Sequence, residues 1–423
     1  MIENEISEET LKKARLKVGF AAASGGIGGS LGANLFTMIA RLFHGTDFHI
    51  GLLSAISSMA QVMQFVGSLL LRKFRSNKKA YLSAALPGVF LGLASAFFVY
   101  NADSNWANKA FIGYITCMII MAFLGAATAN IILSWIGDFV PKSRLGWFMS
   151  FKWILVNLSG MVGSVGLGKL ADNYPTPGGY TVMYAILITA GLVNLTLMLT
   201  LPDRIPKSAV AHNAEEKIDG GGLHFGSFAL WCYVAFYLLW AAGRSILMTF
   251  TPAFLIERFQ FTFAKIAWLG TLQLLVSCFV IYLLGKISDK TGSRKLLMIL
   301  SGFVALCMFL WVSSAWWGLA PIIVYSILNG AAGQTHSMLA INLGLELFPE
   351  KGRSAYIAFS RFFIGIASVV APFFAGLVLS TFSSVRVVVA GALLDRYVIA
   401  FGVGAVITFA CVIPLLLLGN RRI

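Results

Sequence analysis

The chain has 423 residues, of which 58% are hydrophobic and only 12% charged, and it carries a formal charge of +15. Soluble domains hold roughly 25% charged residues, so this composition excludes an ordinary water-soluble protein; the surplus apolar side chain must face lipid. The positive residues sit in short connections between apolar runs, not in an aromatic-laced basic surface, which excludes a nucleic-acid groove and points to a membrane.

The first 17 residues are acidic, then basic, and lack the short apolar stretch and cleavage site of a signal peptide, so the first span is expected to act as the targeting signal. A spanning helix needs about 20 mostly apolar residues. Such runs predict spans over 17–43, 49–71, 80–101, 110–138, 146–171 and 179–201. A polar segment, 202–226, with two prolines and three consecutive glycines, reads as a linker between an N-terminal half, 1–201, and a C-terminal half, 227–423. Six further spans follow over 227–256, 263–285, 296–317, 319–347, 355–381 and 396–418. The expected class is therefore an all-α integral membrane protein of twelve transmembrane helices.

With both termini inside, 22 of the 32 Lys and Arg residues fall in inner segments, seven in outer segments and three within helices, an excess that predicts cytoplasmic termini. The compact build, without large outer domains, points to a bacterial inner membrane. All five cysteines lie in apolar runs and none forms a C-x-x-C pair, so they read as small buried hydrophobes. No metal cluster, nucleophile–base pair or catalytic carboxylate pair is legible, and neither an enzyme nor a bound cofactor is expected.

The two halves repeat each other. Asp138 and Glu346 are 208 positions apart, as are Pro141 and Pro349, while Arg144 and Arg353, like Lys152 and Arg361, are 209 apart. One extra residue in the second loop explains the step. Internal duplication of this kind marks transporter folds.

After helix eight the chain reads Gly285-Lys-Ile-Ser-Asp289-Lys-Thr-Gly292-Ser-Arg294-Lys295. This resembles the loop signature of the major facilitator superfamily, G-x-x-x-D-x-x-G followed by Arg and Lys. The equivalent loop after helix two keeps Gly67 and the cations Arg72, Lys73 and Arg75, but Leu71 stands where the signature has Asp and Phe74 where it has Gly. Helix five carries Gly160, Gly163, Gly166 and Gly168 without the Gly-Pro step of the family's antiporters. The resemblance covers essentially the whole chain. It implies two pseudo-symmetric six-helix bundles around a central cavity, alternating access, and a gating set of Gly285, Asp289, Gly292 and Arg294 with Asp138, Glu346, Arg72, Arg75, Arg144 and Arg353 at the cytoplasmic helix ends. Pairing of Glu346 with Arg294 is part of that expectation, and the alternative is a set of ordinary headgroup-level charges.

Charges within a bilayer are costly, which makes each one a candidate functional residue. Three cations qualify: Lys152 on helix five, Arg244 on helix seven and Arg361 on helix eleven. The helical faces of Lys152 and Arg361 continue through small residues, so the pair is expected either to face across a cavity and hold an anion, or to snorkel to cytoplasmic phosphates, or to form a cytoplasmic gate. Arg244 shares a face with Tyr237 and Trp240, which suits a cation–π contact, and it is either a substrate anchor or a structural cation satisfied by carbonyls. His336, beside Asn329 and Gly333 on helix ten, either binds solute, relays a proton or is hydrogen-bonded in place. Asn34, Gln61, Asn130 and Gln273 add uncharged polar groups that suit a solute or glue helices together.

These residues lead to a monomeric carrier of a small solute, with a small organic anion as the favoured cargo and a proton or other ion as a candidate coupling partner. A neutral polar solute such as a sugar, and a non-transporting sensor or scaffold on the same fold, are the alternatives.

Overall fold

A computed structural model describes residues 8–59, 65–140, 142–201, 203, 227–291, 293–348 and 353–419. The chain is built from helices in the order α1 (Glu8–Gly29), α2 (Ala33–Leu42), α3 (Asp47–Met59), α4 (Phe65–Phe74), α5 (Asn77–Tyr100), α6 (Ala107–Phe139), α7 (Lys142–Asn173) and α8 (Pro177–Leu199). The C-terminal half continues with α9 (Phe228–Phe259), α10 (Phe263–Thr291), α11 (Ser293–Trp317), α12 (Ala320–Leu347) and α13 (Arg353–Thr381). A two-stranded hairpin, β1 (Arg386–Val389) and β2 (Ala392–Asp395), then leads into α14 (Arg396–Ala410) and α15 (Val412–Leu418). Among the described residues, eight helical stretches are long and apolar enough to cross a membrane. The remaining expected spans correspond to α1 with α2, α3 with α4, α10 and α12. Large apolar side chains such as Phe90, Val162, Ile299 and Leu306 stand exposed on the helix surfaces, as a lipid-facing shell requires.

Two departures from the sequence expectation have local causes. The first span is not one helix: it breaks between Gly29 and Ala33, where Gly32 adopts φ +47° and ψ −129°. That conformation is readily available only to glycine. The segment before α14, between two expected spans of an all-α protein, forms the hairpin, with Arg386 opposite Asp395 and Val389 opposite Ala392. Its two turn residues, Ala390 and Gly391, both have positive φ, at 48° and 77°. A two-residue turn of this hand matches the right-handed twist of paired strands.

The described chain forms two compact units. The first contains α1, α2, α4 to α8 and the first turn of α10; the second contains α3, α9, the rest of α10, α11 to α15 and the hairpin. Trp135, Tyr81, Phe148 and Ile131 centre the core of the first unit. Phe236, Leu297, Leu339, Tyr356 and Leu415 centre that of the second. In the first unit Asp172, at the end of α7, accepts hydrogen bonds from the backbone N–H groups of Phe263 at 2.7 Å and Ala264 at 2.9 Å. A carboxylate thus caps the free amides and positive end of α10 from a distant point in the chain. Replacing Asp172 with Ala is expected to cost about 1–2 kcal/mol, read as a lowered melting temperature of the purified protein, whereas Asp172→Asn recovers part of it.

Candidate functional site

The polar residues that converge within the second unit come from three helices. On α9, Tyr233, Tyr237, Trp240 and Arg244 follow three- and four-residue spacing and so share one face. From α12 come Asn329, Gly333, His336 and Ser337, and from α10 come Gln273 and Ser277.

Arg244 Nη1 donates to Asn329 Oδ1 at 2.8 Å. Asn329 is fully buried, and with its carbonyl so engaged its Nδ2 amide has no partner among the described residues. The Arg244 guanidinium carbon lies 5.5 Å from the Trp240 ring centre, within cation–π range. Among the described residues no carboxylate stands within ion-pair distance of Arg244. Beside this pair is a cavity of about 80 Å³ whose wall includes Arg244, Gln273, Ser277, Asn329, Gly333 and Ser337. Two glycines make room for it. A Cβ on Gly330 would lie 2.5 Å from the Gln273 carbonyl oxygen, and one on Gly333 would lie 3.4 Å from Arg244 Nη2.

His336 is buried against the back of the same site. Its ring stacks on Trp240 with centres 3.4 Å apart and planes 11° from parallel, and Phe236 lies 5.7 Å away on another side. His336 Nε2 is 3.0 Å from Ser301 Oγ, and the Ser301 hydroxyl donates to Leu297 O at 2.7 Å. With its one proton directed at that carbonyl, Ser301 can only accept, so Nε2 of His336 carries the hydrogen. The imidazole thus locks Trp240 in place, and Trp240 in turn backs the guanidinium of Arg244.

The other sequence candidates are placed as follows. Asn34 is buried in the first turn of α2. Asn130 is half-buried on α6, its Cβ 3.0 Å from where a Cβ on Gly67 would stand. Lys152 is half-buried on α7, with Nζ 5.4 Å from the ring centre of Trp153. Arg72, Arg75 and Glu346 are exposed, and Arg75 has φ +49°. Arg294 donates from Nε and Nη2 to the Leu415 carbonyl at 3.1 and 2.9 Å, and from Nη2 to that of Leu416 at 3.3 Å, so it neutralises the carbonyl end of α15. Gln61, Gly292 and the side chains of Arg361, Asp138, Arg144, Asp289 and Arg353 lie outside the described residues, and Gly285 is described only as part of α10.

Sequence reasoning overlooked Ser277, Ser337 and Ser301. Single serines in apolar helices carry no local signal; only their alignment opposite Arg244 or His336 makes them polar partners. It also overlooked a group at the far ends of α3, α9 and α14, where Asp47, Glu257, Arg396 and Tyr397 meet. Each of its charged members lies near a span end and reads there as an ordinary headgroup-level residue.

Several solved structures share this fold. A point mutant of the nucleoside transporter NupG superposes with a TM-score of 0.71 at 13% identity, covering 96% of this chain and 100% of its own. The POT family transporter PepTSo gives 0.70 at 9% identity, covering 96% and 98%. The D-xylose-proton symporter gives 0.66 at 14% identity, covering 98% and 97%. No curated protein sequence matches the chain. The sequence profile described as Major Facilitator Superfamily matches residues 18–332 and 237–422. With the loop signature after helix eight, the apolar spans and that profile covering nearly the whole length, the chain belongs to the Major Facilitator Superfamily.

Proposed function

We propose that the protein carries a small organic anion across the membrane and that Arg244 and Asn329 are the groups that hold it. The observation that carries this reading is the donor-rich cavity beside Arg244. The guanidinium and the buried Asn329 Nδ2 both present N–H groups, and no carboxylate of the described chain neutralises the cation. An anionic oxygen satisfies both at once, through charge-assisted hydrogen bonds that are about twice as strong as neutral ones. A neutral sugar needs donors and acceptors in balance, and leaves the charge of Arg244 at membrane depth uncompensated.

Lys152 and Arg361 form the proposed second pair of cations on this route, on the helices that the internal repeat relates. Cargo binding shifts the equilibrium between inward- and outward-open states, as alternating access requires. The proposed orientation keeps both termini on the cytoplasmic side of an inner membrane, in line with the Lys and Arg distribution.

The test is a thermal-shift screen of purified protein against carboxylates, phosphate esters and neutral sugars, run in parallel on Arg244→Gln and on Lys152→Gln with Arg361→Gln. A ligand that binds only the folded state raises the melting temperature once its concentration exceeds its dissociation constant. Carboxylates or phosphates are expected to stabilise the wild type. Loss of one charge-assisted contact, about 2 kcal/mol, should weaken Arg244→Gln roughly thirty-fold. Stabilisation by neutral sugars alone overturns the anion reading and makes Arg244 a structural cation. Failure of every solute to stabilise the wild type points to the sensor or scaffold alternative.

A further inference from the structure

Between α13 and α14 the second unit keeps an open groove. Both helices pack along α9 and touch one another little, and the gap they leave holds about 580 Å³. Its wall repeats at helical spacing, with Ala371, Ala375 and Phe382 from α13 and Ala400, Val403 and Ile407 from α14. The alanines keep it open, since a longer side chain in their place would close it. Arg396, at one end, is the single charged residue of this wall among the described residues. From Ala371 to Phe382 the groove follows eleven helical steps, about 16 Å at 1.5 Å per residue. Half of a hydrocarbon core about 30 Å thick is about 15 Å, so the groove has the length of one acyl chain of one leaflet.

Val385 and Arg396 line both this groove and a polar cavity of about 350 Å³, which makes the two continuous. The hairpin supplies part of the cavity wall, with Arg386 from β1 and Asp395 from β2. Its depth in the membrane is marked by its neighbours. Trp316 Nε1, at the end of α11, donates to the Ala390 carbonyl in the hairpin turn at 3.2 Å. Trp316 and Trp317 are both exposed, and so are Val387 and Val388 on β1. Exposed tryptophan at the end of a span belongs at headgroup level.

The charges of the cavity are paired with one exception. Arg258 meets Asp395 at 2.9 Å, and Arg396 meets Asp47 at 2.9 Å and Glu257 at 3.0 Å. Asp395, opposite Arg386 across the hairpin, also accepts the Val398 backbone N–H at 3.0 Å. Arg386 stands exposed, and among the described residues no carboxylate lies within ion-pair distance of it. A cation at headgroup level beside an acyl-length groove matches a phosphate on a lipid tail.

We propose that this face binds a glycerophospholipid, with one acyl chain in the groove between α13 and α14 and its phosphodiester on Arg386. The two halves of the site contribute differently. A lipid tail is as apolar as the groove wall, so no hydrophobic gain selects it there, and the groove supplies shape alone. Selectivity comes from the guanidinium, whose planar fork matches phosphate oxygens with charge-assisted hydrogen bonds. A lipid so held fills the gap between α13 and α14 and braces the two helices against each other. The site is separate from the cargo pocket at Arg244 and does not depend on which solute is carried.

The test is native mass spectrometry of the full-length protein, stripped of lipid in detergent, with three probes. Phosphatidylglycerol carries both tails and phosphate, diacylglycerol with the same tails lacks the phosphate, and glycerol 3-phosphate lacks the tails. A one-to-one phosphatidylglycerol adduct is expected, retained about ten-fold better than either of the others, as one charge-assisted contact implies. Arg386→Gln should lower its retention to that of diacylglycerol. Ala375→Phe, on a half-buried position of the groove wall, should lower it by closing the groove. Lys109→Gln, an exposed cation at the start of α6, should leave it unchanged. A monodisperse peak checks that each variant folds; if Ala375→Phe does not, Arg386→Gln and the diacylglycerol comparison decide. A wild type without the adduct, diacylglycerol or glycerol 3-phosphate held as firmly as phosphatidylglycerol, or full retention in Arg386→Gln overturns the proposal.

Discussion

Replacing Gly243 with leucine is expected to leave little folded protein after extraction into detergent, read as loss of the monodisperse peak and of any cooperative melt. Gly243 sits where α9 crosses α14. A Cβ there would strike the Thr408 hydroxyl and the Gly404 carbonyl oxygen, and would come within 2.7 Å of the Thr408 backbone nitrogen. The reciprocal glycine is equally tight: a Cβ on Gly404 would lie 2.8 Å from the Gly243 carbonyl oxygen. Backbone atoms cannot rotate away as a flexible side chain can. Helix association in lipid depends on such close approach, because no water is released to drive it. Overpacking a core typically costs about 1–3 kcal/mol, and a clash with backbone on both sides exceeds that range. Total stabilities are only about 5–15 kcal/mol. Gly302 is the control: the nearest atom to its Cβ position is a Val412 methyl at 3.8 Å. Gly302→Ala should be neutral or raise the melting temperature, since alanine is the better helix former.

Asn329→Leu is expected to destabilise the protein by about 2 kcal/mol and to abolish any anion-induced thermal shift. The substitution removes the carbonyl that Arg244 Nη1 uses at 2.8 Å and leaves a guanidinium at membrane depth with one donor unmatched. The informative comparison is the double variant Arg244→Met with Asn329→Leu. Removing both partners of a hydrogen-bonded charge can be nearly neutral, whereas removing one leaves the other stranded. The double variant should therefore melt higher than Asn329→Leu alone, yet show no response to anions. If the two single effects simply add, the pair is not energetically coupled and the asparagine does not position the cation. If the double variant keeps its anion response, the binding site lies elsewhere.

Much of this architecture is a one-dimensional property. A run of some twenty apolar residues has few options in lipid, because every backbone N–H and C=O must be paired inside the segment. That constraint acts on each segment separately. The twelve expected spans therefore correspond to helices in the structure, and the duplication and the loop signature after helix eight point to the family that the profile confirms. The candidate cations and polar residues were legible on the same ground, since a charge within such a run is rare enough to stand out. The break at Gly32 was not, because Gly25 with Gly29 and Gly28 with Gly32, at four-residue spacing in the first span, read as a close helix-packing face, while the positive φ depends on how the half-helices are held. The hairpin over 386–395 was missed because its turn, Ala390-Gly391, is a weak turn signal.

The amino-acid sequence by itself determined the membrane class, the span positions, the family and the short roster of charges that lipid would not tolerate without a role. Which polar groups meet, those on the roster and those the sequence did not single out, was decided only by the tertiary structure. Arg244 and Asn329 are 85 positions apart, and Asp47 and Tyr397 are 350 apart. The physical reason is range. Hydropathy and backbone pairing act within one helix, whereas a hydrogen bond needs two atoms within about 3 Å, a placement that depends on the crossing of whole helices at glycines such as Gly330 and Gly243.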